Sequence, residues 1–166
     1  TPANGGWHSG GGGGGRIAVH YRELAVPHGV RCSTVPGYGW ADANNTWWRA
    51  AEWGTVWFPD SRLLSGTLGD RQFSGVRLYF GGPDAWTVSG LTVKDCSVWL
   101  ADPGLRVTVS NDLWIDAGGV LGIGSPQARG ILECGWDLTL ANGGRLCVYS
   151  GPTNGTLGDD GALVSV

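Results

Sequence analysis

The stretch Val107–Gly130 recurs as Leu132–Gly155, 25 positions along and without a gap, and this repeat constrains the chain more than any other feature. Superposition puts Asp112 on Asp137, Leu113 on Leu138, Ile115 on Leu140, Gly118 and Gly119 on Gly143 and Gly144, Leu121 on Leu146, and Ile123 on Val148. Self-similarity at such a period marks a solenoid, in which each unit buries its apolar side only against its neighbours. Inside the unit, apolar residues fall two apart in short bursts (Val107/Val109, Leu113/Ile115, Leu121/Ile123), with Gly, Asn or Asp between them. That is strand periodicity broken by turns. Three short strands per unit describe one coil of a parallel β-helix, each strand pairing with its equivalent one coil along. The crossover preference of parallel strands makes it right-handed.

The predicted inward columns hold Val107, Val109, Leu113, Ile115, Leu121, Ile123, Leu132, Leu138, Leu140, Leu146 and Val148. Cys134 falls where Val109 does and is predicted to be a reduced core residue, with Cys147 facing outward. Upstream, Leu91–Gly104 (LTVKDCSVWLADPG) aligns loosely with Val107–Gly119, with one corner shorter. Gly54–Phe58 and Gly75–Phe80 read as earlier strands, Gly161–Val166 as the start of another coil, and Arg16–Tyr21 as a strand after the glycine run Gly10–Gly15. The Pro/Gly/Trp-rich stretch Pro27–Trp53 reads as an insertion covering a face or end, with a helical turn or two over Thr46–Glu52. The expectation is therefore an all-β chain of one domain, 1–166: a Gly-rich strand and irregular capping segment over 1–53, then regular coils over 54–166.

Composition narrows the alternatives. With 31 Gly in 166 residues, helical bundles are excluded, because each interior Gly costs a helix about 1 kcal/mol. A hydrophobic content of 42% with 10 Trp excludes a disordered chain, and the absence of a Gly-X-Y register excludes collagen. A net charge of −3, with Lys94 the only lysine, offers no basic field, so nucleic acid is not an expected partner. No apolar run is long enough to span a membrane as a helix, and the expectation is a soluble chain. Lacking Met, it reads as a processed product or part of something larger.

The order GGGGGGRIAVHY (Gly10–Tyr21), a variable insertion, WGTVWF (Trp53–Phe58), and then LTV and DLWIDAGG coils resembles large glycine-rich repeat proteins of bacterial cell surfaces. Their coils are similar to those of autotransporter passengers and other right-handed parallel β-helices. The resemblance implies an extracellular or cell-surface location and a structural, adhesive or carbohydrate-facing role. It carries no catalytic residue to this chain.

The residues themselves support few chemistries. The glycine run is followed by neither Gly-Lys-Ser/Thr nor an amphipathic helix, so it is no phosphate cradle. It reads as backbone lying flat against a coil, or as a flexible lead-in. His8, His20 and His28 do not recur at metal-ligand spacing, and no serine sits in a nucleophile elbow. No catalytic residue, resident metal or cofactor is predicted, and the chain is not expected to be an enzyme. Asp112 and Asp137, equivalent corners of successive coils, are a candidate calcium pair; the competing and favoured reading is that each caps its own turn. Alternation points Trp99 and Trp114 outward. Together with Trp47 and Trp48 they are the candidate interface or ligand-binding residues. Burial at an internal or intersubunit contact is the expectation, and a glycan-stacking strip the alternative. Two functions follow: a structural solenoid whose partners are copies of itself, joined head to tail into a filament or layer, or a β-helix that binds or cleaves cell-surface or extracellular polysaccharide.

Overall fold

A computed structural model of the chain describes residues 12–25, 29–37, 52–82, 85–125, 129–149 and 161–166. Strand makes up 47% and helix 2%, arranged as a β-solenoid of about 4 turns. The chain enters with β1 (Arg16–Ala18) and β2 (Cys32–Ser33), then runs β3 (Gly54–Phe58), a 3-10 turn (Ser61–Leu63), β4 (Thr67–Leu68), β5 (Phe73–Ser74) and β6 (Val76–Phe80). From there the order is regular. One coil is β7 (Ala85–Val88), β8 (Leu91–Lys94) and β9 (Ser97–Leu100); the next is β10 (Arg106–Val109), β11 (Leu113–Asp116) and β12 (Val120–Ile123). The last described coil is β13 (Ile131–Cys134), β14 (Leu138–Leu140) and β15 (Arg145–Val148), after which β16 (Leu163–Ser165) opens another.

Every pairing is parallel and joins equivalent strands of neighbouring coils, giving three faces. The first is β1-β3-β6-β9-β12-β15, the second β7-β10-β13-β16, and the third β4-β8-β11-β14. The short pair β2-β5 fills the corner before the first face. Val107 is the register partner of Leu132, Leu113 of Leu138, and Leu121 of Leu146, as the repeat requires.

The core is the stack of inward side chains. Along the first face one column runs Val56, Leu78, Leu100, Ile123 and Val148. Its first four members are at most 1% exposed, while Val148, on the last described rung, is 41% exposed. On the third face Ile115 is fully buried, and its partner Leu140 is 51% exposed. Burying a Val, Leu or Ile side chain contributes about 1.5–3 kcal/mol, so the interior rungs carry most of the stabilisation. Val148 and Leu140 keep the predicted register, but no described rung lies beyond them to cover them. Leu138 and Leu146 are half covered for the same reason.

The corners explain the paired glycines. Ala117 and Gly118 both have positive φ (46° and 71°), as do Asn142 and Gly143 one coil on (46° and 80°), which turns the chain from the third face to the first. At Gly119 and Gly144 a Cβ would strike the carbonyl of Val93 or Ile115 in the preceding coil.

Three expectations are corrected. Leu91 does not stack on Val107: β8 pairs with β11 and β9 with β12, so Leu91 meets Leu113 and Val98 meets Leu121. The coil there is shorter than 25 residues, and laying Leu91–Gly104 loosely on Val107–Gly119 shifts it by one face. Part of the irregular stretch Pro27–Trp53 is a rung, since Cys32–Ser33 pairs in parallel with Phe73–Ser74 and Cys32 is buried. The strand predicted over Arg16–Tyr21 ends at Ala18. The glycines at 12–15 lie against neighbouring coil backbone, with the Gly14 N–H donating to the Glu52 carbonyl and the Gly12 carbonyl accepting from Gly37 N–H. Thr46–Ala51 and the histidines His8 and His28 fall outside the described residues.

Candidate functional site

Alternation in the third face sends Leu91 and Val93, and Leu113 and Ile115, inward; Thr92, Lys94, Trp114 and Asp116 therefore point out. Parallel register lines up the outward residues along the solenoid axis. Thr67, Thr92, Trp114 and Thr139 form one column, and Lys94 and Asp116 are partners in the next. Trp114 is 45% exposed and stands between two threonines. Around it lies an open depression of about 740 Å3, lined by Thr67, Thr92, Lys94, Asn111, Asp112 and Asp116 among others.

The acidic residues of this face are fixed by coil-to-coil hydrogen bonds. Asp116 Oδ1 accepts from Asn142 Nδ2 at 2.7 Å and from the Ala117 N–H at 2.7 Å. These bonds, the Asn142 amide foremost, hold its carboxyl below the usual range. Asp112 Oδ1 accepts from the backbone N–H of Asp137 at 3.2 Å, so the candidate calcium pair are corner neighbours, one side chain capping the other's backbone. Among the described residues no three His, Cys, Asp or Glu side chains are grouped to hold a metal ion.

Trp136 adds a second indole, which the sequence reading passed over. At 66% exposed it sits on the corner between β13 and β14, and its backbone N–H donates to the carbonyl of Asn111, a residue of the depression. The signal was present in the repeat, which superimposes Trp136 on Asn111, but a lone aromatic in a turn has no periodicity to mark it.

Trp99 points outward as predicted, but on the first face, away from Trp114. Its indole lies over Gly122, its register partner one coil along, where a Cβ would collide with the ring. Its Nε1 donates to the Gly124 carbonyl at 2.7 Å, leaving the ring half-buried by its own solenoid. Trp47 and Trp48 lie outside the described residues. Cys134 is buried, its Sγ facing the Asn111 and Asp137 carbonyls, and Cys147 is half-exposed on the outer side of the first face; neither forms a disulfide.

An exposed indole offers a flat apolar surface for the face of a sugar ring, while flanking hydroxyl, carboxylate and amide groups suit its hydroxyls. The Trp114 depression has this composition. Comparisons with protein-family models, with curated proteins and with solved structures each gave no match.

Proposed function

We propose that this chain is an extracellular structural β-solenoid that associates with further copies of itself, coil end to coil end. The observation supporting it is the open rung: Leu140 and Val148 keep the inward register of the buried Ile115 and Ile123, yet they are exposed. Leu163 on β16 is exposed as well. Among the described residues no strand pairs with the outer edge of β14 or β15, so this rung offers apolar side chains and strand-edge N–H and C=O groups to an incoming parallel coil. The first coil of a second copy is the proposed occupant, which makes the contact heterologous and repeatable. The extracellular setting rests on the resemblance of the coil pattern. Sedimentation velocity over a dilution series tests the association. Mass rising with concentration, and falling to monomer in Leu140→Asp and Val148→Asp variants that keep their β circular dichroism, is the expected result. A wild-type monomer at every concentration overturns it.

A second reading, that the third face binds a glycan, is favoured by the exposed Trp114 with Trp136 on the adjoining corner. With Asp112 and Asp116 on this face and Lys94 the one lysine, neutral and amino sugars suit it better than acidic ones. Binding without cleavage is the form proposed, because Asp112 is engaged by the Asp137 amide. Loss of neutral-oligosaccharide binding in Trp114→Ala, with assembly retained, supports this reading; binding unchanged in Trp114→Ala and Trp136→Ala overturns it.

A further inference from the structure

The first face carries a second cleft, separate from the Trp114 depression. It has a volume of about 500 Å3 and is lined by Arg16, Thr55, Trp57, Tyr79, Phe80 and Asp102. Arg16 and Thr55 are register partners at the start of β1 and β3, and Trp57 and Tyr79 are partners two residues further along. The cleft therefore follows the strands, with a cation at one end and a pair of aromatic rings on adjacent strands in its middle. Asp102 closes the other end, its carboxylate accepting from the Phe80 N–H at 3.1 Å. Phe80 lies three residues beyond the level of Thr55, about 10 Å along the strands.

The charges differ in availability. Arg77, the partner of Thr55 on the next strand, is paired with Glu52 at 2.8 Å. Arg16 is exposed and makes no ion pair among the described residues. The Trp57 ring packs against the His20 imidazole, 5.0 Å away and tilted by 44°, and against the backbone at Gly81, where a Cβ would meet the indole. A ring fixed before binding loses little rotamer freedom when a ligand stacks on it.

We propose that this cleft binds an acidic saccharide, with the carboxylate of a uronate residue paired to Arg16 and a sugar ring laid on Trp57 and Tyr79. A single exposed guanidinium with no ion pair among the described residues matches one carboxylate in the forked geometry such pairs prefer. With Arg16 the one cation among its lining residues, the cleft disfavours polyphosphates and nucleotides, which carry several anionic groups. The site depends neither on coil stacking nor on the Trp114 face.

Isothermal titration with an oligogalacturonate tests it, with the fully methyl-esterified oligomer as the neutral control. The expected result is binding of the acid form, weakened about tenfold or more by Arg16→Gln, an exposed substitution that leaves the fold intact. The ester binds wild type no better than the acid binds the variant, and Tyr79→Ser, checked by circular dichroism, also weakens binding. Trp114→Ala leaves it unchanged. No binding by wild type, equal binding by Arg16→Gln, loss in Trp114→Ala, or tighter binding of ATP than of the uronate each overturns the proposal.

Discussion

Trp99 and Gly122 face each other across one rung of the first face, and the indole fills the space that any side chain at 122 would require. Gly122→Ala is therefore expected to lift the ring and break its bond to the Gly124 carbonyl. Forcing a methyl into such a contact costs about 1–3 kcal/mol. Urea unfolding measures the loss, and a red-shifted tryptophan emission reports exposure of the ring. Trp99→Phe, which keeps an aromatic ring but loses the N–H, should cost about 1 kcal/mol.

Leu113 and Leu138 are chemically identical partners in one column, one fully buried and the other half covered. Leu113→Ala is expected to lose about 2–5 kcal/mol, and Leu138→Ala clearly less. Equal losses in dilute monomer, measured by chemical denaturation, would contradict the open rung.

Ala117 holds φ 46° at the corner where its equivalent one coil on is Asn142. A left-handed residue with a Cβ costs roughly 1–2 kcal/mol, less for Asn, whose side chain bonds locally. Ala117→Asn should raise the melting temperature, with a gain of up to about 1 kcal/mol. A fall would show that the corner relaxes when the residue changes.

The segment after β1 is clasped to the coil by Tyr21, whose hydroxyl donates to Asp60 Oδ1 at 2.6 Å while Arg62 binds the same carboxylate and lies over the tyrosine ring. Arg62 foremost, with the Tyr21 hydroxyl, holds the Asp60 carboxyl well below its ordinary range. Desolvation, then the Asp60 bond, pushes the Tyr21 phenol up to about 12. A depressed acid stabilises the fold above its unfolded pKa of about 4 and loses that contribution as pH falls. A raised phenol contributes below its unfolded value of about 10 and loses it as pH rises towards 12. Stability should thus show an acid limb and an alkaline limb. Asp60→Asn is expected to weaken both, and Tyr21→Phe to remove the alkaline one, as read from melting temperature against pH.

Asp112 caps the Asp137 amide. Asp112→Asn keeps an acceptor oxygen and should be nearly neutral, whereas Asp112→Ala should cost about 1 kcal/mol. Calcium at millimolar concentration should leave the melting temperature unchanged; an upward shift abolished by either variant would establish a cation between the two corners.

The columns from Val107 onward were legible because identical spacing, identical turn residues and alternating apolar pairs agreed over a whole coil. Register then followed by subtraction. Upstream, the shorter corner broke that agreement, and Leu91 was matched to the wrong face. The rung at Cys32–Ser33 was invisible for another reason: two residues cannot display alternation, and the neighbouring Pro and Gly read as loop. Strand parity gave the outward direction of Trp99 and Trp114 but not their different fates. Those depend on what stands one coil along, Gly122 in one case and Thr139 in the other. Nor does a linear reading place Arg16 beside Trp57 and Tyr79, which come together only when β1, β3 and β6 lie side by side.

The ungapped period of the last two complete coils has a genetic consequence. Duplicating any stretch of one period's length between Val107 and Val148 returns each codon to its own column, with every leucine still over a leucine or its substitute and the paired glycines still at a bend. Length in such a molecule can change by unequal recombination without passing through a misfolded intermediate.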